Sequence, residues 1–387
     1  MKKISANYIF SGNSAPIKNG VVIYDANGTV EAVLNPEIDE INWEGIEKFE
    51  GVICPGFINT HCHLELSHLK DKIAEATALH GFVKEIVSIR DNFTEEQRLK
   101  AIEIADKEMW GNGIVAVGDI SNGNSTFQQK LKSPINYHTF LEVFSLNPTL
   151  ANEVIAKATE LKTSYHKQHR ISIAPHAPYS MSARLMALVN EFSGTILTIH
   201  NQETQSENEL FLEKSGKLYE QLSSFSEDIK KWMPTGKNSL PSYLPNFYAD
   251  KKMLLVHNTF SSQGDIAFAK TYSNSIYWCF CPNANEYIEK RQPNYSLFKN
   301  EKCTIGTDSL ASNWRLSILD EIKTISKKDA SISLETLIKW ATFNGAQFLG
   351  FEKLGSIEKG KQPGLNLIKN LDLESLSLTE NSSVSLL

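Results

Sequence analysis

The sequence lacks the features that mark membrane, secreted and nucleic-acid-binding proteins. It has no run of about 18 apolar residues, so no membrane-spanning helix is expected. The first eight residues contain no apolar segment long enough for a signal peptide. Lys and Arg number 39 against 45 Asp and Glu, a net charge of −6, which argues against a nucleic-acid-binding surface. The 387 residues, 41% hydrophobic, are therefore expected to form a cytoplasmic globular enzyme.

Cysteine is also scarce. The five cysteines are odd in number, and four of them lie in apolar, strand-like segments, so free thiols are expected rather than a disulfide framework. Cys279 and Cys281 lack the two-residue spacing of zinc and redox pairs and are interpreted as alternate positions of one strand. The chain contains no Pro-Cys-x-x-Cys motif, which excludes the zinc deaminases that carry it.

From residue 52 onward, short apolar β-branched runs alternate with longer helical patterns, as in a parallel α/β protein. Eight such units before residue 351 predict a (β/α)₈ barrel over 52–351. A doubly wound open sheet usually has a glycine-rich first turn, whereas the first turn here is rich in histidine. The eight predicted strands are 57–61, 113–119, 137–143, 171–176, 195–200, 253–257, 276–281 and 303–308.

The two ends of the chain predict a second, smaller unit. Asn27 and Gly28 separate two β-rich runs at 21–25 and 29–34, which is a hairpin signature. After residue 351 the pattern returns to strand-like segments. Residues 1–51 and 352–387 are therefore predicted to form a small β-sandwich from both termini.

Polar residues that can bind a metal or move a proton stand at the ends of several predicted strands. His61 and His63 follow the first strand, and side chains two residues apart in a strand point to the same side. The carboxyl ends of all barrel strands open on one face, where the active site of this fold is built. The other strand-end residues are His176, His200, His257 and Asp308. Any one of them alone could be a core polar residue, but as a set they predict a site.

Four of these residues suffice for one divalent metal ion. His61, His63, His200 and Asp308 offer three imidazoles and a carboxylate and leave a position for water, as in a catalytic site. Zn²⁺ is expected, with Fe²⁺ as the alternative. The metal would lower the pKa of its water to about 7 and supply hydroxide. Glu203, three residues after His200, is placed for general acid–base chemistry.

The sequence resembles the mononuclear deaminase branch of the amidohydrolase superfamily. This branch includes adenosylhomocysteine/methylthioadenosine, guanine, cytosine and aminodeoxyfutalosine deaminases, with the triazine chlorohydrolases nearby. The motifs run from the first strand to the eighth, so the resemblance covers nearly the whole chain. They are Pro-Gly-Phe-Ile-Asn-Thr-His-Cys-His at 55–63, His-Ala-Pro-Tyr-Ser at 176–180, His-Asn-Gln-Glu at 200–203, Leu-Val-His at 255–257, Cys-Pro-Asn-Ala-Asn at 281–285 and Gly-Thr-Asp-Ser at 306–309.

The resemblance implies a role for each matching residue. The metal ligands would be His61, His63, His200 and Asp308, and the catalytic proton-shuttling residues Glu203 and His257, with Asp308 also accepting a proton. Substrate contacts would come from His176, Asn285 and Ser309. Glu65 in the first loop, spelled as in aminodeoxyfutalosine deaminases, would hold a polar substrate group or serve as a structural carboxylate.

The resemblance also bears on the number of metal ions and on assembly. Binuclear members carry a carboxylated lysine at the end of strand four, where this chain has Pro175 and His176, so one metal is implied. Relatives suggest a homodimer. Asn258 and Thr259 follow His257 where many relatives have a cysteine and often a second histidine, which is a departure from the pattern.

The expected function is a metal-dependent aminohydrolase. Metal-bound hydroxide would attack an amino-substituted, purine-like or other nitrogen heterocycle and release ammonia. The small-molecule substrate could be a nucleoside, such as an adenosine derivative or aminodeoxyfutalosine. Two alternatives remain open: a hydrolase of another C–N bond or a C–Cl bond, and a non-catalytic binding relative. The aromatic segment 232–248 could stack on the heterocycle or pack over the helices. No role is assigned to His68, His80, His138, His166 or His169.

Overall fold

A computed structural model of the chain describes residues 1–165 and 170–387. Its strands form a barrel of eight parallel strands and one mixed sheet built from both ends of the chain. His166 and His169 lie outside the described residues. Across the described ranges, no helix combines the length and apolarity that a membrane crossing needs. All five cysteines are buried and free, which confirms that prediction.

The terminal sheet contains seven strands. Its order is β15-β14-β5-β1-β3-β4, with β2 paired to β1. β1 and β5 are parallel, and the other pairs are antiparallel. The strands are β1 Lys2–Ile9, β2 Ile17–Lys18, β3 Val21–Tyr24, β4 Val30–Leu34, β5 Glu47–Pro55, β14 Leu365–Lys369 and β15 Ser383–Leu386.

This sheet forms because alternate residues of its strands are apolar and share one buried face. Ile4 and Val22 pack there with Ile53 and Leu367, which joins the two ends of the chain. The predicted hairpin is confirmed, since β3 and β4 pair antiparallel around a turn in which Gly28 has a φ of +80°. β5 belongs to the terminal sheet and ends at Pro55, and the first barrel strand begins at Phe57. The predicted boundary between the two units at residue 51 stays a prediction.

The barrel strands form two parallel four-stranded sheets, β6–β9 and β10–β13. At one seam the His200 N–H donates to the His176 carbonyl over 2.9 Å. At the other, the N–H groups of Thr307 and Asp308 donate to the His61 carbonyl over 3.0 and 3.1 Å. The strands are β6 Phe57–Cys62, β7 Ile114–Ser121, β8 Asn136–Val143, β9 Arg170–Pro175, β10 Ile196–Asn201, β11 Lys252–His257, β12 Ile276–Phe280 and β13 Cys303–Ile305.

The first seven barrel strands agree with their predicted bounds within two residues at each end. The eighth is shorter than predicted and ends at Ile305. The Gly306 N–H still donates to the Phe280 carbonyl of β12 over 2.9 Å. The chain leaves that ladder after Gly306, because the N–H groups of Thr307 and Asp308 turn to the His61 carbonyl and Asp308 takes a φ of +57°. The predicted barrel class with a unit built from both termini is confirmed, and the strands of that unit form one mixed sheet.

Helices cover the outside of the barrel. A capping box formed by Thr94 and Gln97 opens α2. Residues 205–231 form three successive helices, with Lys214 in the left-handed conformation after the first. The helices are α1 Ala78–Ile89, α2 Glu95–Gly111, α3 Phe127–Lys132, α4 Ala151–Ser164, α5 Ala183–Phe192, α6 Gln205–Glu213, α7 Gly216–Phe225, α8 Glu227–Lys231, α9 Ser239–Tyr243, α10 Gln263–Tyr272, α11 Pro282–Glu289, α12 Ile318–Lys328, α13 Leu334–Lys339 and α14 Gly345–Leu349, with a π-helical turn at Trp340–Asn344 before α14.

A buried ion pair links α3 to β7. The Lys130 ammonium lies 2.5 Å from the Asp119 carboxylate, and both side chains are fully buried. Thr139 accepts a second hydrogen bond from Lys130 over 2.8 Å, and Ser121 donates to Asp119 over 3.1 Å. Removing one partner would leave the other charge buried without compensation, which is far costlier than losing a surface pair.

Replacing Lys130 by Met is expected to lower the free energy of unfolding by about 3–5 kcal/mol, because Asp119 loses its counter-charge. Urea unfolding followed by circular dichroism measures the loss. Lys132→Met, at an exposed position on the same helix, is the matched control. Equal stability of the two variants would contradict this account of the ion pair.

Candidate active site

Three imidazoles meet at the carboxyl ends of the barrel strands. His63 Nε2 lies 3.2 Å from His61 Nε2 and 3.3 Å from His200 Nε2. Asp308 completes the group, with Oδ1 3.4 Å from His63 Nε2 and 3.6 Å from His61 Nε2. The structure therefore brings together the four residues that the sequence predicts as metal ligands, and all four are buried.

The imidazoles are neutral, with nitrogen lone pairs available. Burial, the largest cause, lowers the pKa of His61 and His200, and it lowers the pKa of His63 to about 3. His200 Nδ1 donates to the His176 carbonyl over 2.7 Å, so its Nε2 keeps a lone pair. Three neutral nitrogens and one carboxylate are a donor set that fits a divalent cation.

Side chains around the cluster fix its members. Ser312 donates to Asp308 Oδ2 over 2.6 Å and so turns Oδ1 toward the histidines. Asp119 Oδ1 accepts the backbone N–H of Leu64 over 2.8 Å, at the residue after His63. The ladder between β6 and β7 ends at the pair Cys62 and Asp119. The Asp119 side chain therefore replaces the next backbone partner and holds the chain that carries His63.

Glu203 and His257 lie together beside the cluster. Glu203 Oε1 is 3.7 Å from His257 Nε2, and both side chains are buried. Burial and the charge of Asp308 raise the pKa of Glu203 well above its usual range, so this carboxyl can carry a proton. His257 Nδ1 faces Asn285 Oδ1 at 2.9 Å, an arrangement in which Nδ1–H donates and Nε2 is left facing Glu203.

A network of amide side chains lies under this pair. Asn201 Nδ2 donates to Asn258 Oδ1 over 2.9 Å, and Asn258 Nδ2 donates to the carbonyls of Leu255 and Cys279 over 2.8 and 3.0 Å. Gln202, His257 and Asn258 all have positive φ values. The network pairs the polar groups of these turns, so Asn258, the departure from the family pattern, has a structural place beneath the site.

The aromatic segment 232–248 packs under the site. The Tyr243 hydroxyl donates to Asn201 Oδ1 over 2.9 Å, and Leu240, Tyr243 and Phe247 are buried in the main core. The described cavity wall includes no residue from this segment. Of the two interpretations that the sequence left open, the structure therefore favours packing over stacking on a substrate.

A cavity of about 640 Å³ opens above the cluster. His63, His200, Glu203, His257 and Asp308 form its floor, and His176 and Ser309 also line it. Its outer wall is mostly apolar, and its apolar residues come mainly from α1 and α7. These wall residues are Leu79, Phe82, Val83, Ile86, Val87, Leu218, Leu222 and Phe225.

Two residues predicted as substrate contacts lie behind the described cavity wall. Asn285 is buried against His257. Both Glu65 carboxylate oxygens accept the Asn122 backbone N–H, over 3.1 and 3.0 Å. Burial raises the pKa of Glu65 to about 7. In this structure both residues support neighbours that face the cavity.

Sequence reasoning missed Glu142, which lines the cavity near the end of β8. Its Oε1 lies 3.8 Å from His200 Nδ1, and burial raises its pKa to about 7. Asn122, just after β7, also lines the cavity and donates to Glu142 Oε2 over 2.9 Å. The signal that identified the histidines, a polar residue at the end of a barrel strand, applies to both of them.

The cluster at the mouth of a parallel barrel could hold a divalent metal ion, and comparison with known proteins identifies the class of enzyme. The model of the amidohydrolase family matches residues 52–385. The chain belongs to the amidohydrolase family and is a hydrolase that acts on carbon–nitrogen bonds other than peptide bonds.

The chain is similar to several deaminases and to a chlorohydrolase of known structure. The aminodeoxyfutalosine deaminase of Nitratiruptor is 26% identical over 82% of this chain and 78% of its own. An adenosine deaminase of Helicobacter pylori is 28% identical over the same shares. The crystal structure of H. pylori aminofutalosine deaminase with methylthio-coformycin has a TM-score of 0.77, at 22% identity, over 96% of this chain and 93% of that one. Atrazine chlorohydrolase of Arthrobacter aurescens, complexed with zinc, has a TM-score of 0.74, at 14% identity, over 95% and 86%.

Replacing His200 by Ala is expected to reduce bound metal from about one ion per chain to well under half, because three donors remain of four. Elemental analysis of the purified protein after dialysis measures the ratio. His80→Ala, outside the cluster, is the control and should keep its metal. Full metal content in the His200 variant would contradict the ligand assignment.

Proposed function

We propose that the protein is a metal-dependent deaminase of an adenosine-like nucleoside. The observation that carries the proposal is the buried donor set of His61, His63, His200 and Asp308 next to the Glu203–His257 pair. Both curated relatives described above are named as deaminases, of aminodeoxyfutalosine and of adenosine. In the proposed reaction, water adds its oxygen to the ring carbon that bears the amino group, and the carbon–nitrogen bond breaks to release ammonia.

The proposed cofactor is one divalent ion, with zinc favoured over iron. His61, His63, His200 and Asp308 would hold it. A divalent ion in such a site supplies Lewis acidity, which lowers the pKa of a coordinated water toward neutrality. The chain has His176 after β9 where binuclear members carry a lysine, which supports a single ion.

Glu203 is the proposed proton carrier. Its carboxyl lies in the cavity floor, takes a proton from the attacking water and delivers it to the ring nitrogen beside the reacting carbon. His257 and Asp308 assist as ammonia leaves, since His257 Nε2 is 3.7 Å from Glu203 Oε1. Asn285 holds His257 in this orientation through the bond at Nδ1. These groups act on charge that develops during attack, where catalysis gains most.

The apolar wall of α1 and α7 bounds the cavity above the polar floor. A planar heterocycle fits between such a wall and a polar floor, because apolar side chains cover its faces while polar groups reach its edge. His176 and Ser309, which face the cavity, are the proposed edge contacts.

Ammonia release from a panel of compounds tests the proposal. The panel contains adenosine-type nucleosides including aminodeoxyfutalosine, together with guanine, cytosine, aminotriazines and a chlorotriazine. Turnover of a nucleoside would support it, and chloride release from the chlorotriazine would favour the halide-releasing alternative. No turnover, with one metal per chain, would support the non-catalytic reading. Light scattering on the same sample tests the homodimer that relatives suggest.

Replacing Glu203 by Gln is expected to reduce kcat by about 10²–10⁴-fold, because the amide cannot carry the proton. Bound metal should stay at the native level, which separates this effect from loss of a ligand. Glu191→Gln, at an exposed position on α5, is the matched control and should react at the native rate. Native activity in the Glu203 variant would remove this residue from the mechanism.

A further inference from the structure

The Glu142 carboxylate has one oxygen that is bonded and one that is free. Its side chain is only 6% exposed, and Oε2 accepts the Asn122 amide N–H over 2.9 Å. Oε1 faces the cavity, and no hydrogen-bond donor reaches it among the described residues. The nearest imidazole nitrogen, His200 Nδ1, is 3.8 Å away and already donates to the His176 carbonyl over 2.7 Å. Because Oε1 faces the cavity and has no hydrogen-bond partner among the described residues, a ligand in the cavity can donate a hydrogen bond to it.

A second metal ion is not the expected partner of Glu142 Oε1. Glu142, His176 and His200 each have a ligand atom within 4.8 Å of the others, the spacing of a metal group. His200 Nδ1 carries a proton for the His176 carbonyl, and His200 Nε2 lies 3.3 Å from His63 in the first cluster. Only Glu142 and His176 remain, and two donors do not make a closed metal site.

The position of Glu142 indicates which part of a substrate would meet it. The His200 ring presents Nε2 to the cluster and Nδ1 to Glu142, so Glu142 lies on the far side of that ring from the proposed metal. His176, with Nδ1 at 3.0 Å from the Ser180 hydroxyl, borders the same region of the cavity. A group there would be joined to the reacting heterocycle and would lie beside it.

We propose that Glu142, held by Asn122, accepts hydrogen bonds from the sugar hydroxyl groups of the nucleoside, with His176 beside it. This inference rests on the proposed function. An ionised carboxylate accepts hydrogen bonds and cannot donate them, and sugar hydroxyl groups can donate hydrogen bonds to it. The α1 and α7 wall is mostly apolar, with Gln221 as a polar member on α7. Hydrogen bonds from the sugar hydroxyls to Glu142 would make the enzyme select for a sugar.

The test compares a nucleoside with its 2′,3′-dideoxy analogue in the native protein and in Glu142→Gln. Native kcat/KM should be about ten- to a hundredfold higher for the nucleoside, as expected for a hydrogen bond to a charged group. In Glu142→Gln this ratio should fall to within about threefold, because the neutral amide binds the hydroxyls weakly. Glu153→Gln, an exposed residue on α4, is the control and should keep the native ratio.

Binding of the same two compounds by calorimetry separates this inference from the proposed function. Preference for the nucleoside without ammonia release would keep the sugar site and overturn the deaminase. Ammonia release with equal kcat/KM for both compounds in the native protein would overturn the sugar site alone. Should Glu142→Gln fail to fold, Asn122→Ala, which removes the Oε2 partner, should reduce the same ratio, and an unchanged ratio there would also overturn it.

Discussion

Three imidazole nitrogens face one another at the carboxyl ends of the barrel strands, and many of the surrounding hydrogen bonds hold the residues of this cluster in place. His63 Nε2 lies 3.2 Å from His61 Nε2 and 3.3 Å from His200 Nε2, in a region that water scarcely reaches. Neutral nitrogens at this distance repel unless a proton or a cation lies between them. Burial lowers the pKa of each ring, so protons bind weakly there. A cation is therefore the natural occupant, and Asp308 offers it a balancing charge.

The positions around the cluster carry strain that the network beneath them offsets. His257, Asn258 and Asp308 have positive φ values, a conformation that residues with a Cβ seldom adopt. Each is fixed by side-chain bonds: His257 by Asn285, Asn258 by Asn201, and Asp308 by Ser312. The side chains at the site are thereby held at the strand ends, and their direction is set by the turns that follow.

The sequence predicted the barrel strands and the four residues of the cluster because both depend on local patterns. Apolar runs mark the strands, and a polar residue at the end of a run marks the face where such ends meet. The same pattern could not show which side chains reach the cavity. Glu65 and Asn285 lie in matching motifs but bond to Asn122 and His257 behind the wall.

What the sequence could not show depends on contacts between distant segments. The strand-end pattern includes Glu142, but the direction of its side chain depends on the Asn122 amide that donates to it. In the same way, Asp119 accepts the Leu64 N–H because the β6–β7 ladder ends at the pair Cys62 and Asp119. The shortened eighth strand has the same origin, since Thr307 and Asp308 bond to the His61 carbonyl across a seam. Such partners are far apart in the chain, so no local periodicity encodes them.

The two seams give metal binding a second consequence. His61 and His63 belong to the β6–β9 half of the barrel, whereas His200 and Asp308 belong to the β10–β13 half. An ion held by all four residues would connect two half-barrels that share few backbone hydrogen bonds among the described residues. Its affinity and the closure of the barrel are then thermodynamically linked, since whatever binds only the closed form stabilises it.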